Sequence, residues 1–359
     1  MWLSVAVLFN VAPTPLQEML RPLADDWRVE VRGPVSLPGG SVRCPAYGWE
    51  YSICFEGWGG RADQEAALRF RVYAPGVRES DLAKSVTRSL LRLWEVSVRH
   101  AGLDNPIRYG RVVHVFLAEG GRAGGEQMFV PWDTASGSSS VNAVYIYSIE
   151  SFRRPAEMFR EIAHEYGHAV LPAYAGFTEP ERFGNGVLGE HLLPMLLLCE
   201  HRADVGTDDM MGMTADQLEE WGRAKSYPLT DAVWKHGPNL KALDAKNLGA
   251  MNAMVGVPLL LAESKSGTLA RSFALSTSLT AKGLLAGVKA ATLECDAVTY
   301  RIPSRLKGTM VFVPCPSGYR VVLGKEAARS GDWAKVVPSE DMKVRIQRNG
   351  KAPMGTEER

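Results

Sequence analysis

The sequence predicts an α+β protein, and three observations carry that reading. β-type runs punctuated by Pro and Gly fill residues 27–73. Helical periodicity dominates two later stretches, residues 80–100 and 214–290. β-type runs then return from Val298 onward. Segregated strands and helices, rather than a regular βαβ alternation, point to α+β. At 359 residues, with 46% hydrophobic and 23% charged, the chain can bury a sizeable core and form two or three subdomains. Its net charge is +1, with no block of like charge, so nucleic acid is not an expected partner. No membrane span is expected either: the best stretch, residues 248–262, is short and contains Asn252 and Pro258.

The expected division is as follows. Residues 1–20 are an N-terminal segment, 21–76 a β-rich region and 77–175 a mixed unit. Residues 176–292 are mainly helical, 293–350 form a small β module, and 351–359 are a loose tail. Residues 2–12 have the apolar character of a secretory signal, although no Lys or Arg precedes them and no small-x-small site follows. A secreted or cell-envelope protein is expected on that count; the alternatives are a buried first strand and a cytoplasmic chain. Cys44 and Cys54 flank a predicted hairpin, Cys295 and Cys315 bracket another β segment, and Cys199 lies in an apolar run. The spacing is compatible with two disulfides and with five unpaired thiols.

Taken in order, VEVRGPV, EYSICFEGW and LRFRVYA read as strands between turns. In residues 80–100, Leu82, Val86, Leu90, Leu93 and Val96 share a helical face, with Ser80 and Asp81 at its start. RVVHVFLAE, EQMFVPW and NAVYIYSIE read as three more strands, the last two separated by the polar loop TASGSSS. Pro155 opens a helix running to about Val170, where its missing N–H costs nothing. A Gly/Pro-rich connection, GFTEPERFGNG, leads to a second, apolar helix, GEHLLPMLLLCEHRAD.

The helix opened by Pro155 carries His164-Glu165-Tyr166-Gly167-His168. Histidines four apart project from one helical face, so their imidazoles can share one Zn²⁺. The glutamate beside the first can handle the proton of an activated water. Gly167 costs helix propensity and predicts close packing or room beside a metal. Catalytic zinc takes three protein ligands. A third histidine six residues beyond His168 is excluded, because Leu171 and Tyr174 stand where Gly and His would be needed. The candidates are Glu179, Glu181, Glu190 and Glu200. If the second helix returns antiparallel, Glu190 comes near the histidines, while Glu200 sits roughly 15 Å further along. Glu190 is therefore the favoured third ligand.

HEYGH followed by NGVLGEH resembles the gluzincin group of zinc metallopeptidases, over about residues 111–204. The resemblance implies a zincin-like core, with an upper subdomain over 77–175 and a helical lower subdomain over 176–292. It implies Zn²⁺ on His164, His168 and Glu190, with Glu165 as general base in hydrolysis of a peptide or protein substrate. A strand just before the metal helix would pair with extended substrate at a sheet edge. Ala143, Val144, Tyr145 and Ile146 are expected in that role. Tyr174, His201, Tyr227 and His236 are the candidates for stabilising the oxyanion. One departure stands out: thermolysin-like members carry an acidic residue four after the ligand glutamate, and this chain has Pro194. Two rival readings remain: an inactive zincin-fold binding protein, and a carbohydrate- or surface-binding protein with a structural metal, using Trp49 and Trp58.

Overall fold

The computed structural model describes residues 27–134, 137–178, 180–200, 213–239, 243 and 245–350. The proposed signal segment, the C-terminal tail, Glu179 and His201 lie outside them, as does the side chain of Glu200. The fold is α+β.

The N-terminal half is built on one six-stranded sheet. Its strands are β1 (Trp27–Arg32), β4 (Ile53–Arg61), β5 (Ala67–Ala74), β6 (Val113–Leu117), β7 (Gly124–Thr134) and β8 (Gly137–Tyr147), in the order β1-β4-β5-β6-β8-β7. The short pair β2 (Val42–Arg43) and β3 (Glu50–Tyr51) lies apart from it. β5, β6 and β8 are mutually parallel, while β1, β4 and β7 pair antiparallel to their neighbours. The strands of residues 27–74 and those preceding the helix that carries His164 and His168 thus share one sheet. The TASGSSS segment is largely strand, because the β7–β8 ladder continues to Thr134 and Gly137.

Alternation along the strands gives the sheet two buried faces. Phe70, Val72, Val113, Val115, Val144 and Ile146 meet helices α1 (Ser80–Ala101) and α2 (Pro155–Val170). The opposite residues, Tyr73, Phe116, Ala143 and Tyr145, form an aromatic cluster with Tyr51 and Trp132 under the β2–β3 segment. Ala143–Ile146 are accordingly buried on an inner strand. β8 lies between β6 and β7, and β7 is the edge, which corrects the expectation that residues 143–146 form the open edge.

Helix α3 (Asn185–Glu200) returns against α2. Their contact is unusually close: a Cβ on Gly167 would lie 2.3 Å from the Asn185 carbonyl, and one on Gly189 2.4 Å from that of Ala163. Helices α4 (Ala215–Trp221), α5 (Tyr227–His236), α6 (Leu248–Glu263), α7 (Leu269–Ala274) and α8 (Ala281–Leu293) follow. The C-terminal module has two three-stranded sheets. β9 (Ala297–Arg301), β14 (Lys343–Arg348) and β11 (Tyr319–Leu323) form one; β10 (Val311–Pro314), β13 (Trp333–Val337) and β12 (Lys325–Ser330) form the other. One apolar core runs from the large sheet through the helices into this module. No disulfide joins the five cysteines, of which Cys44, Cys54 and Cys315 are buried. No helix among the described residues is long and apolar enough to cross a membrane.

Candidate metal centre

Helical spacing puts His164 and His168 one turn apart on the face of α2 that meets α3, with their Nε2 atoms 3.2 Å apart. The third group beside them is Glu181. Its Oε2 lies 2.9 Å from Nε2 of His168 and 3.3 Å from Nε2 of His164. These three residues offer ligand atoms all within 4.8 Å of one another, enough to hold a metal ion. Glu181 precedes α3, whose first backbone N–H groups lack intrahelical partners. One of them, from Val187, donates to Glu181 Oε1 at 3.3 Å. The start of α3 thereby turns the other carboxylate oxygen toward the imidazoles.

Glu190, the expected third ligand, stands on the other side of the ring. Its Oε2 is 3.0 Å from Nδ1 of His164, and Arg160 donates to the same oxygen at 2.8 Å. Its Oε1 faces Nε2 of His191 at 3.3 Å, and Nδ1 of that ring meets Ser226 Oγ at 3.1 Å. The antiparallel return of α3 is as expected. Crossing at Gly167 and Gly189 brings Glu190 beside the Nδ1 edge of His164, while the connection preceding α3 carries Glu181 over the Nε2 edges.

Asn185 performs the matching task for the second imidazole. Its side-chain N–H₂ donates to the carbonyls of His168 and Leu171, at 3.3 and 3.4 Å, so its oxygen accepts from Nδ1–H of His168 at 3.0 Å. With an acceptor at each Nδ1, both rings aim Nε2 at the same point, where a metal would take the place of a proton. Gly186 keeps that point open, since a Cβ there would lie 2.4 Å from Nε2 of His168 and 2.6 Å from Nε2 of His164.

The electrostatics favour a cation at this position. Burial alone would pull the His164 pKa down, but the carboxylates of Glu181 and Glu190 outweigh it and push it up to about 10. Burial likewise opposes ionisation of Glu181, yet the two imidazoles hold its carboxyl down to about 2. Glu190 is also held well below the usual carboxylate range, by His164 and His191 against the cost of burial.

Glu165 points to the other side of α2, toward β7. It is 3% exposed, and its Oε2 has no hydrogen-bond partner among the described residues. Burial pushes its pKa up to about 7. Gly125 of β7 makes room for it, because a Cβ there would come within 2.5 Å of Glu165 Cγ. A buried carboxylate oxygen without a donor is costly; a proton or a bound water would satisfy it.

The residues expected to stabilise an oxyanion have other contacts. The Tyr174 hydroxyl meets Ser276 Oγ at 3.2 Å, and that of Tyr227 donates to Glu219 at 2.9 Å beneath Arg305. His236 lines a cavity with Phe312 and Trp333, against the C-terminal module. Trp58 lies under Arg32 and donates to Glu56, while Trp49 is exposed and stacked on Tyr47. The helical spacing that favours Glu190 passes over Glu181, which falls in the Gly/Pro-rich connection. The available signal was its place just before a helix start, where a carboxylate is favoured by the unpaired N–H groups. No protein-family model matches this sequence, and no curated protein matches it either.

Proposed function

We propose that the protein is a zinc-dependent peptidase of zincin-like architecture, with His164, His168 and Glu181 as ligands and Glu165 as general base. The observation that carries this reading is the convergence of both Nε2 atoms and one Glu181 oxygen on one point, with a buried carboxylate lacking a donor on Glu165, the next residue after His164. Two imidazole nitrogens and one carboxylate oxygen suit zinc and leave a position for substrate or water. Zinc bound there would supply Lewis-acid activation of a water and of the scissile carbonyl. Glu165 takes the proton of the attacking water and passes it to the leaving amine, a task matched by a pKa near neutrality. Glu190 and Asn185 hold the two imidazoles in the tautomer and orientation that binding needs.

The same assignment accounts for Pro194. With Glu181 as ligand, support of His164 falls to Glu190, nine residues on, and no acidic residue is needed at 194. Extended substrate would add to the outer edge of β7 rather than to residues 143–146, since β7 is the edge strand and Gly125 on it borders Glu165. The test is hydrolysis of a mixed peptide library by the purified chain, before and after zinc chelation. Chelator-sensitive cleavage restored by added zinc is expected. Cleavage indifferent to chelation, or none with zinc bound, would contradict the reading.

A further inference from the structure

Beside the reacting centre, the far face of β7 carries a carboxylate set among aromatic rings. Gly125 borders Glu165 on the α2 face, so its neighbour Glu126 projects to the opposite face. There the hydroxyls of Tyr47 and Tyr147 both donate to the same oxygen of Glu126, Oε1. Tyr47 stacks on Trp49 with centroids 4.7 Å apart, and Tyr147 meets both rings edge-on at 6.0 and 6.1 Å. Tyr47 and Trp49 remain 43% and 38% exposed.

The local chain is built to hold this arrangement. Residues 44–49 form a tight turn, with Cys44 N–H donating to the Trp49 carbonyl at 2.9 Å and Gly48 N–H to that of Cys44 at 3.1 Å. The Tyr145 hydroxyl accepts from Ala46 N–H at 3.2 Å and pins the turn to the sheet. The rings are thus fixed before any ligand arrives, which lowers the entropic cost of binding.

We propose that Glu126, Tyr47, Trp49 and Tyr147 form a subsite for a basic side chain, lysine or arginine, of an extended peptide lying along β7. The inference rests on the peptidase reading above and adds a substrate class to it. Among the described residues, no strand pairs with the outer edge of β7. A peptide strand added there lies about 4.8 Å away and sends alternate side chains to opposite faces. The residue beside Gly125 meets the α2 face, and the next one in the chain meets Glu126. A cation suits that place on two counts: the carboxylate offers an opposite charge, and exposed Tyr and Trp faces attract cations. The basic residue therefore falls within one or two positions of the bond that Glu165 serves.

The test separates binding from cleavage. Zinc-loaded full-length Glu165→Gln protein is titrated with two nine-residue peptides, one with lysine at alternate positions and one with norleucine in its place. The lysine peptide is expected to bind about fivefold tighter or more. That ratio should fall to about one when Glu126→Gln is added, and should shrink with Trp49→Ala. Equal binding of the two peptides, no binding of either, or a ratio unchanged by Glu126→Gln would overturn the subsite. Incubating both peptides with the unsubstituted chain reports on the other claim. Failure to cut peptides that bind with the expected ratio sinks the peptidase reading and leaves the subsite standing.

Discussion

Glu181 Oε2 lies 2.9 Å from Nε2 of His168, whereas Glu190 reaches the paired histidine only at its Nδ1 edge, 3.0 Å away. The proposed assignment therefore gives the two carboxylates separable tasks. Glu181→Ala removes a proposed ligand, and zinc affinity should fall roughly 100-fold or more. Glu190→Gln removes a partner that orients a ligand, and the expected loss is about 10- to 100-fold. Competitive zinc titration of the two variants checks the order. A larger loss in Glu190→Gln would exchange the two roles.

Two glycines of α3 should respond differently to the same substitution. Gly186→Ala places a methyl 2.4 Å from Nε2 of His168. Zinc binding is expected to be lost, with a smaller effect on folding because imidazoles can swing aside. Gly189→Ala drives a methyl into the backbone of α2, 2.4 Å from the Ala163 carbonyl and 2.7 Å from Gly167 Cα. The helices must then separate, at a cost of about 3 kcal/mol by the scale of overpacked cores. Urea unfolding with zinc titration on each variant distinguishes them. Equal destabilisation by both would contradict the assignment.

His114 gives a pH dependence outside the metal centre. It is buried between Tyr73, whose hydroxyl lies 3.1 Å from Nδ1, and Trp132. Burial, aided by the Arg71 charge, drives its pKa from 6.5 to about 3. Between those values the unfolded chain binds a proton that the folded chain refuses. The contribution to stability is therefore intact above pH 6.5 and is lost as pH falls toward 3, at up to about 1.4 kcal/mol per pH unit. Between pH 7 and 5 this amounts to about 2 kcal/mol. His114→Phe should unfold in urea with a pH difference smaller by about that amount. An unchanged difference would show that His114 titrates normally.

Much of the fold was legible because it rests on period. The alternation of β5, β6 and β8 and the apolar stripe of α1 are local signals, and the antiparallel return of α3 followed from a short connection. Sheet order was not legible. Strands β7 and β8 look alike in sequence, and only the parallel pairing of β8 with β6 pushes β7 to the edge. In the candidate site, the pairing of His164 with His168 was readable from their spacing. The placement of Glu181 depends on the path of an irregular connection and on Gly167 meeting Gly189 across two helices. No periodicity encodes either feature.

The most direct test of the central claim is to measure zinc content and peptide turnover together in Glu165→Gln, which keeps the proposed ligands and removes the base. About one zinc per chain is expected in both forms, with turnover in the variant reduced about 10²- to 10⁴-fold. Turnover near that of the unsubstituted chain, with zinc in place, would contradict it.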